Sequence, residues 1–102
     1  MDAALEKNRA EVEALCRRYG VRRLELFGSA AEGAARLGGS DLDFLVDFGP
    51  RSTPGYADAY FGLLESLESL FGGPVDLVDA SAIRNPYFLQ AIERSKTLLY
   101  VA

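Results

Sequence analysis

Residues 56–71 of this chain carry a helical repeat of apolar residues, and short extended runs lie on both sides of it. The apolar positions of the repeat share one stripe of the helix: Tyr60, Leu63, Leu64, Leu67 and Leu70. Hydrophobic periodicity also predicts helices over 2–19 and 86–94, and strands over 21–27, 42–48, 75–78 and 97–101. With 102 residues, the chain is expected to form one domain with a modest two-layer core.

The composition removes several classes of catalytic site. The chain has no histidine and one cysteine, Cys16, so catalytic triads with histidine, histidine metal sites, intrachain disulfides and cysteine zinc sites cannot form within it. Cys16 lies among apolar helical positions and is interpreted as a buried spectator thiol. Catalysis would therefore rest on carboxylates, hydroxyls, arginines and backbone amides.

The charge balance and the lack of long apolar runs limit the partners. The chain has 15 acidic and 11 basic residues, which gives a net charge of −4. Proteins that bind nucleic acid through its phosphates normally have a basic surplus, so nucleic acid is disfavoured as the main partner. No apolar run approaches the length of a membrane span, and the first residues do not resemble a signal peptide. A cytoplasmic location is expected.

Asp41 and Asp43 form an Asp-x-Asp motif at the start of the predicted strand 42–48. Residues two apart in a strand point to the same face, so the two carboxylates would lie side by side. Such oxygen ligands suit Mg²⁺, which binds carboxylates together with substrate phosphates. Taken alone, an Asp-x-Asp motif is usually a solvated strand end.

Asp76 lies between two apolar residues in the strand 75–78. The strand looks buried, and a buried charge needs a partner or a metal, so Asp76 is a candidate ligand. Two other acids, Asp47 and Asp79, could be considered as ligands instead. Asp47 is in phase with the Asp-x-Asp motif but farther along the strand and is interpreted as structural or exposed, and Asp79 is interpreted as a strand-end cap.

Gly28 and Ser29 follow the strand 21–27 and open a glycine-rich stretch, predicted as a turn, a short helix and a loop through residue 40. Glycine permits close approach of the backbone to a ligand, and serine can cap a helix whose free amides bind phosphate. Taken alone, the two residues fit an ordinary turn. If the first two strands pair antiparallel, however, Gly28 and Ser29 meet the Asp-x-Asp motif at one edge of the sheet.

In combination, these motifs resemble the signature of the DNA polymerase β-like nucleotidyltransferase superfamily, whose short members are the minimal nucleotidyltransferases. The resemblance covers about residues 20–100 and is carried by residues 26–29, 40–46 and 75–78. It implies an α/β (α+β) fold of that superfamily, a small mixed sheet flanked by helices, with residues 1–102 as a single minimal nucleotidyltransferase domain. It also implies that Gly28 and Ser29 hold the β,γ-phosphates. Asp41 and Asp43 would bind two Mg²⁺ ions, and Asp76 would bind the catalytic ion and help to activate the acceptor hydroxyl.

The resemblance implies a biological role as well. Minimal nucleotidyltransferases are typically antitoxins of bacterial two-gene modules, paired with an all-helical HEPN ribonuclease, and they transfer AMP from ATP to a tyrosine of that toxin. The expected function is therefore that of a Mg²⁺-dependent adenylyltransferase antitoxin. Two alternatives stay open: nucleotidyl transfer to a small molecule, and a catalytically weak antitoxin that neutralises its partner by binding alone. The oligomeric state is left open.

The chain departs from the family pattern at Glu32, where many relatives carry an arginine in a Gly-Ser-x-Ala-Arg-Gly stretch. The loss of that cation reduces neutralisation of the triphosphate, and Arg36 is a candidate replacement. The sequence also contains an aromatic set: Tyr56, Tyr60, Phe61, Tyr87 and Phe88. Its members are interpreted as core residues or, for Tyr56 and Tyr87, as part of a surface that docks another protein.

Overall fold

The computed structural model describes residues 3–27, 42–50, 52–87, 90, 93 and 96–102. The helices in this part of the chain are α1 (Ala3–Lys7), α2 (Arg9–Arg18) and α3 (Tyr56–Phe71), with a 3₁₀ turn at Ala80–Ala82. The strands are β1 (Arg23–Phe27), β2 (Leu42–Asp47), β3 (Val75–Asp79) and β4 (Thr97–Val101). The bounds of α3 and β4 match those predicted, and the other strands differ from the prediction by at most two residues. The predicted turn, short helix and loop over 28–40 lie outside the described residues.

The structure divides the first predicted helix and describes the last one only in part. The helix predicted over 2–19 is in fact two helices, interrupted at Asn8, which precedes α2 and whose carbonyl accepts a bond of 3.0 Å from the Val12 amide. Asparagine favours such helix ends over helix interiors. Of the helix predicted over 86–94, residues 86, 87, 90 and 93 are helical, and the remaining positions lie outside the described part.

Four strands form one mixed sheet in the order β3-β2-β1-β4. β1 pairs antiparallel with both β2 and β4, whereas β2 pairs parallel with β3. The antiparallel pairing of the first two strands, under which Gly28 and Ser29 were expected to meet the Asp-x-Asp motif, is therefore observed. A parallel pair needs a crossover connection, and α3 provides it between β2 and β3. The mixed sheet with its helices confirms the predicted α/β (α+β) class.

The core lies between one face of the sheet and the helices α2 and α3. The strand residues in this core are Leu24, Leu26, Leu42, Phe44, Val46, Val75, Leu77 and Leu99. From α3, Leu63 and Leu67 are fully buried, and Tyr60, Leu64 and Leu70 pack against them, so the predicted stripe is confirmed. Burial of this apolar surface is the main stabilising contribution to a fold of this size.

Cys16 is part of that core, which confirms its interpretation as a buried thiol. Burial, and then the negative charge of Glu13, raise the pKa of Cys16 to about 12, although Arg17 acts in the opposite direction. The thiol therefore stays protonated at neutral pH and is a poor nucleophile. In the described part of the chain, no helix is both long enough and apolar enough to cross a membrane.

Candidate active site

Asp43 and Asp76 are direct partners in the parallel pairing of β2 with β3. Directly paired residues of neighbouring strands carry their side chains on the same face of a sheet, so the two carboxylates lie side by side. This is the face opposite the core, because the adjacent positions of both strands are buried against the helices. We call Asp43 and Asp76 the acidic pair.

The two members of the acidic pair differ in exposure. Asp43 is half-buried and Asp76 is exposed. The expectation that Asp76 lies in a buried strand is therefore wrong. β3 is an edge strand with only one face against the core, and burial alternates along it, with Val75, Leu77 and Asp79 buried.

The end of β1 adjoins the acidic pair from the other side of β2. Phe27, the last residue of β1, is the partner of Asp43 in the antiparallel pairing. Gly28 and Ser29 follow Phe27 in the chain, and Asp41 precedes β2, but these three predicted site residues lie outside the described residues. So do Glu32 and Arg36. Of the five predicted site residues, the structure thus brings Asp43 and Asp76 together and leaves three undescribed.

An open cavity of about 450 Å³ surrounds the acidic pair. Phe27, Asp43 and Asp76 contribute to its wall from the sheet, and Tyr60 and Leu64 contribute from α3. A cavity of this size is in the range of small-molecule sites, and its carboxylates are next to solvent. It can therefore admit both a ligand and hydrated ions.

The acidic pair fits a divalent metal in its chemistry. Mg²⁺ is commonly held by one or two carboxylates and completes its coordination with waters and substrate phosphates. Among the residues that the structure describes, no three Asp, Glu, His or Cys side chains cluster closely enough to hold a metal, and Asp41 is not among the residues searched. The described site therefore contains two candidate ligands, both with hard oxygen donors.

Asp47 and Asp79 have structural partners, which confirms both interpretations. The Asp47 carboxylate accepts a hydrogen bond of 2.7 Å from the Gly49 amide and holds the turn after β2. Asp79 accepts bonds of 2.7 Å from the amide and from the hydroxyl of Ser81 and so caps the 3₁₀ turn. Tyr56 donates its hydroxyl to the same carboxylate.

Tyr60 is a site residue that sequence reasoning missed. Its hydroxyl donates to the carbonyl oxygen of Leu77, the residue after Asp76, and its ring lines the cavity of the acidic pair. Burial, followed by the negative charges of Asp79 and Asp76, raises the pKa of Tyr60. Its hydroxyl is the one polar group in an apolar stripe that otherwise consists of leucines. This feature of the sequence could have indicated that Tyr60 has a polar contact.

Glu25 is a second residue that the sequence did not single out. It is 5% exposed, and its partner in the pairing of β1 with β2 is Leu45, on the same face as the acidic pair. Arg23 and Lys96 each approach its carboxylate to 3.4 Å. The hydrogen bond of Lys96 to Glu93 is the main cause that raises the pKa of Lys96, and Glu25 adds to it. Glu25 is a buried charge balanced by two cations, which is a structural arrangement.

Comparison with known proteins agrees with the fold. The nucleotidyltransferase domain family matches residues 10–99. A Methanocaldococcus jannaschii protein, described as a candidate protein adenylyltransferase, is 38% identical over 84 residues, which cover 82% of this chain and 80% of that protein. A solved structure, described as a candidate minimal nucleotidyltransferase, superposes with a TM-score of 0.76 at 36% identity and covers 95% of each chain.

A more distant structure shares the fold. It is a tri-AMPylated Shewanella oneidensis HEPN toxin in complex with its MNT antitoxin, with a TM-score of 0.66 at 21% identity, and the match covers 95% of this chain and 72% of that one. The chain belongs to the nucleotidyltransferase domain family, and its full-length likeness to a minimal member places it among the minimal nucleotidyltransferases. The predicted family and the predicted nucleotidyltransferase activity are thereby confirmed.

Proposed function

We propose that this nucleotidyltransferase transfers AMP from ATP to a tyrosine hydroxyl of a HEPN toxin and acts as the antitoxin of that toxin. The observation that carries the proposal is the acidic pair, in which two carboxylates share one face of β2 and β3 beside an open cavity. The description of the M. jannaschii relative as a protein adenylyltransferase supports AMP as the transferred group and a protein as acceptor. The AMPylated HEPN toxin bound to an MNT antitoxin supports the choice of partner.

The proposed reaction is a substitution at the α-phosphorus of ATP. The acceptor oxygen forms a bond to the α-phosphorus, the bond from that phosphorus to the bridging oxygen breaks, and pyrophosphate leaves with its electron pair. Asp76 would accept the proton of the acceptor hydroxyl, and the exposure of its carboxylate supports this role. When bound, Mg²⁺ would neutralise the phosphates and polarise the α-phosphoryl group.

We propose the following roles for the other predicted residues. Asp43 and Asp76 would hold the metal together with Asp41, which would complete the set of three carboxylates. Gly28 and Ser29 would bind the β,γ-phosphates of ATP. The pairing of Phe27 with Asp43 supports this assignment, since Gly28 directly follows Phe27 in the chain. In the described part of the chain, the strands form one sheet over one core, which supports one minimal nucleotidyltransferase domain over residues 1–102.

ATP labelled at the α-phosphate tests the proposal directly. We expect the protein encoded by the neighbouring gene to be the HEPN toxin. The purified chain, Mg²⁺ and that protein should together give a labelled HEPN protein, and excess chelator should abolish the labelling. Mass spectrometry should place the AMP on a tyrosine. Label on a small molecule from a cell extract, with none on the HEPN protein, would favour a small-molecule acceptor. A stable unlabelled complex that blocks the toxin would favour neutralisation by binding alone.

A further inference from the structure

Among the strands that the structure describes, β3, which carries Asp76, lies at an edge of the sheet and pairs with β2 alone. Edge strands have backbone groups that no neighbouring strand holds, so their ends open more readily than central strands. In β3, the described helix α3 provides side-chain anchors. The hydroxyl of Tyr60 donates to the Leu77 carbonyl, and the hydroxyl of Tyr56 donates to the Asp79 carboxylate.

The hydrogen bond from the Tyr60 hydroxyl to the Leu77 carbonyl lies next to the acidic pair. Leu77 is the next residue after Asp76 and points into the core, so its carbonyl belongs to the backbone segment that sets the direction of the Asp76 side chain. The Tyr60 ring is itself held between two aromatic rings, with centroids 6.4 Å from Tyr56 and 5.1 Å from Phe61. These two contacts hold the Tyr60 ring, whose hydroxyl bonds to the backbone of β3.

The hydroxyl of Tyr60 also remains a donor over a wide pH range. Burial and the charges of Asp79 and Asp76 raise the pKa of Tyr60, so the phenol is neutral at physiological pH. Tyr60 and Asp76 line the same cavity. A leucine or phenylalanine would fill the same place in the stripe but would leave the carbonyl of Leu77 without this donor.

We infer that Tyr60 is a positioning residue for the acidic pair: its hydroxyl holds the backbone of β3 at Leu77 and so keeps Asp76 beside Asp43 for metal binding. The inference rests on the proposed function, since it assumes that the acidic pair binds the metal. Tyr60 does not need to touch the metal or the substrate. It acts through the strand that carries the ligand.

Binding of Mn²⁺ in the presence of AMP-PNP tests the inference without any acceptor protein. Tyr60→Phe removes the hydroxyl and keeps the ring, and Tyr56→Phe is its matched control on the same helix, since it removes the anchor at the far end of β3. Free Mn²⁺ is measured by electron paramagnetic resonance, and circular dichroism verifies the fold. We expect Tyr60→Phe to weaken Mn²⁺ binding about threefold to tenfold, the range that follows from the loss of one hydrogen bond. Tyr56→Phe should change it less than twofold.

The outcomes separate this inference from the proposed function. If Tyr60→Phe binds Mn²⁺ within twofold of the wild-type protein, or if both variants weaken it equally, Tyr60 has no specific positioning role. Asp76→Asn is measured in parallel and should weaken Mn²⁺ binding more than either tyrosine variant. If Asp76→Asn leaves Mn²⁺ binding unchanged, the proposed metal site itself is wrong. If only Tyr60→Phe has no effect, the proposed site stands and the inference falls.

Discussion

Four aspartates lie on β2 and β3, and the surroundings of each one decide its role. Asp47 and Asp79 accept hydrogen bonds from nearby backbone amides and thereby fix the turns that follow their strands. Asp43 and Asp76 face the open cavity and are direct strand partners. Two carboxylates side by side repel each other when both are charged, and a bound cation relieves that repulsion. The acidic pair therefore has a physical reason to attract a metal, and Asp47 and Asp79 hold the turns after their strands.

Asp43→Asn should lower the rate of AMP transfer by at least about a hundredfold, because phosphoryl transfer depends on positioning and charge stabilisation. Asp47→Asn is the matched control, since it is on the same strand and the same face but binds the Gly49 amide. It should retain transfer within a few-fold. The free energy of unfolding of Asp43→Asn without metal should be unchanged or slightly higher, because one of two neighbouring like charges is removed. Full activity of Asp43→Asn would contradict the mechanism.

At the scale of elements, α3 approaches α2 closely because Gly62 has no side chain. A Cβ atom at position 62 would lie 2.5 Å from a ring carbon of Tyr19, the residue that follows α2. The Tyr19 hydroxyl also lies 3.3 Å from the Ser66 hydroxyl, one turn farther along α3. A glycine inside a helix reduces its stability by about 1 kcal/mol relative to alanine, so close packing is the reason to keep it there.

Gly62→Ala should therefore lower the free energy of unfolding by about 1 kcal/mol, because an overpacking penalty of about 2 kcal/mol exceeds the gain in helix propensity. In a Tyr19→Ala background the ring is absent, and the same substitution should instead stabilise the protein by about 1 kcal/mol. Urea unfolding of the four proteins measures both values. Stabilisation by Gly62→Ala in both backgrounds would show that the Tyr19 ring moves aside at little cost.

The elements that local periodicity specifies could be predicted from the sequence, and those that depend on distant contacts could not. The stripe of α3 and the apolar runs of the strands fixed their bounds to within two residues, whereas the interruption at Asn8 was missed. For the site, the sequence motifs named Asp43 and Asp76 as candidates and the structure places them side by side, but the exposure of Asp76 follows from the place of β3 at the sheet edge. The role of Tyr60 depends on a contact with Leu77, 17 residues away, which no local pattern contains.

At the scale of the whole molecule, the cavity of the acidic pair lies toward the β3 edge of the sheet. A second open cavity, of about 330 Å³, is lined by Phe61, Tyr56 and Ala82, and Tyr60 contributes to both cavities. A protein that presents a tyrosine to the acidic pair would have to contact this side of the molecule.

Of the aromatic set, Phe61 and Tyr87 are 58% and 79% exposed, and the Phe88 side chain lies outside the described residues. Tyr56 is half-buried and its ring packs against Phe48 and Tyr60, so Tyr56→Ala would remove that packing and is unsuited to a docking test.

Phe61→Ala should weaken the complex with the HEPN protein at least about fivefold, because buried aromatic anchors contribute more than about 1 kcal/mol to protein interfaces. Val101→Ala is the matched control. Val101 is 57% exposed, nearly the same as Phe61, but it is on β4, at the opposite edge of the sheet. The affinity of Val101→Ala for the HEPN protein should stay within twofold of that of the wild-type protein. Isothermal titration calorimetry measures the affinities of both variants. Because Phe61 is mostly in solvent, its truncation should leave the melting temperature of the isolated chain nearly unchanged. Equal affinities of the two variants would place the docking surface away from α3, and a loss confined to Val101→Ala would place it at β4.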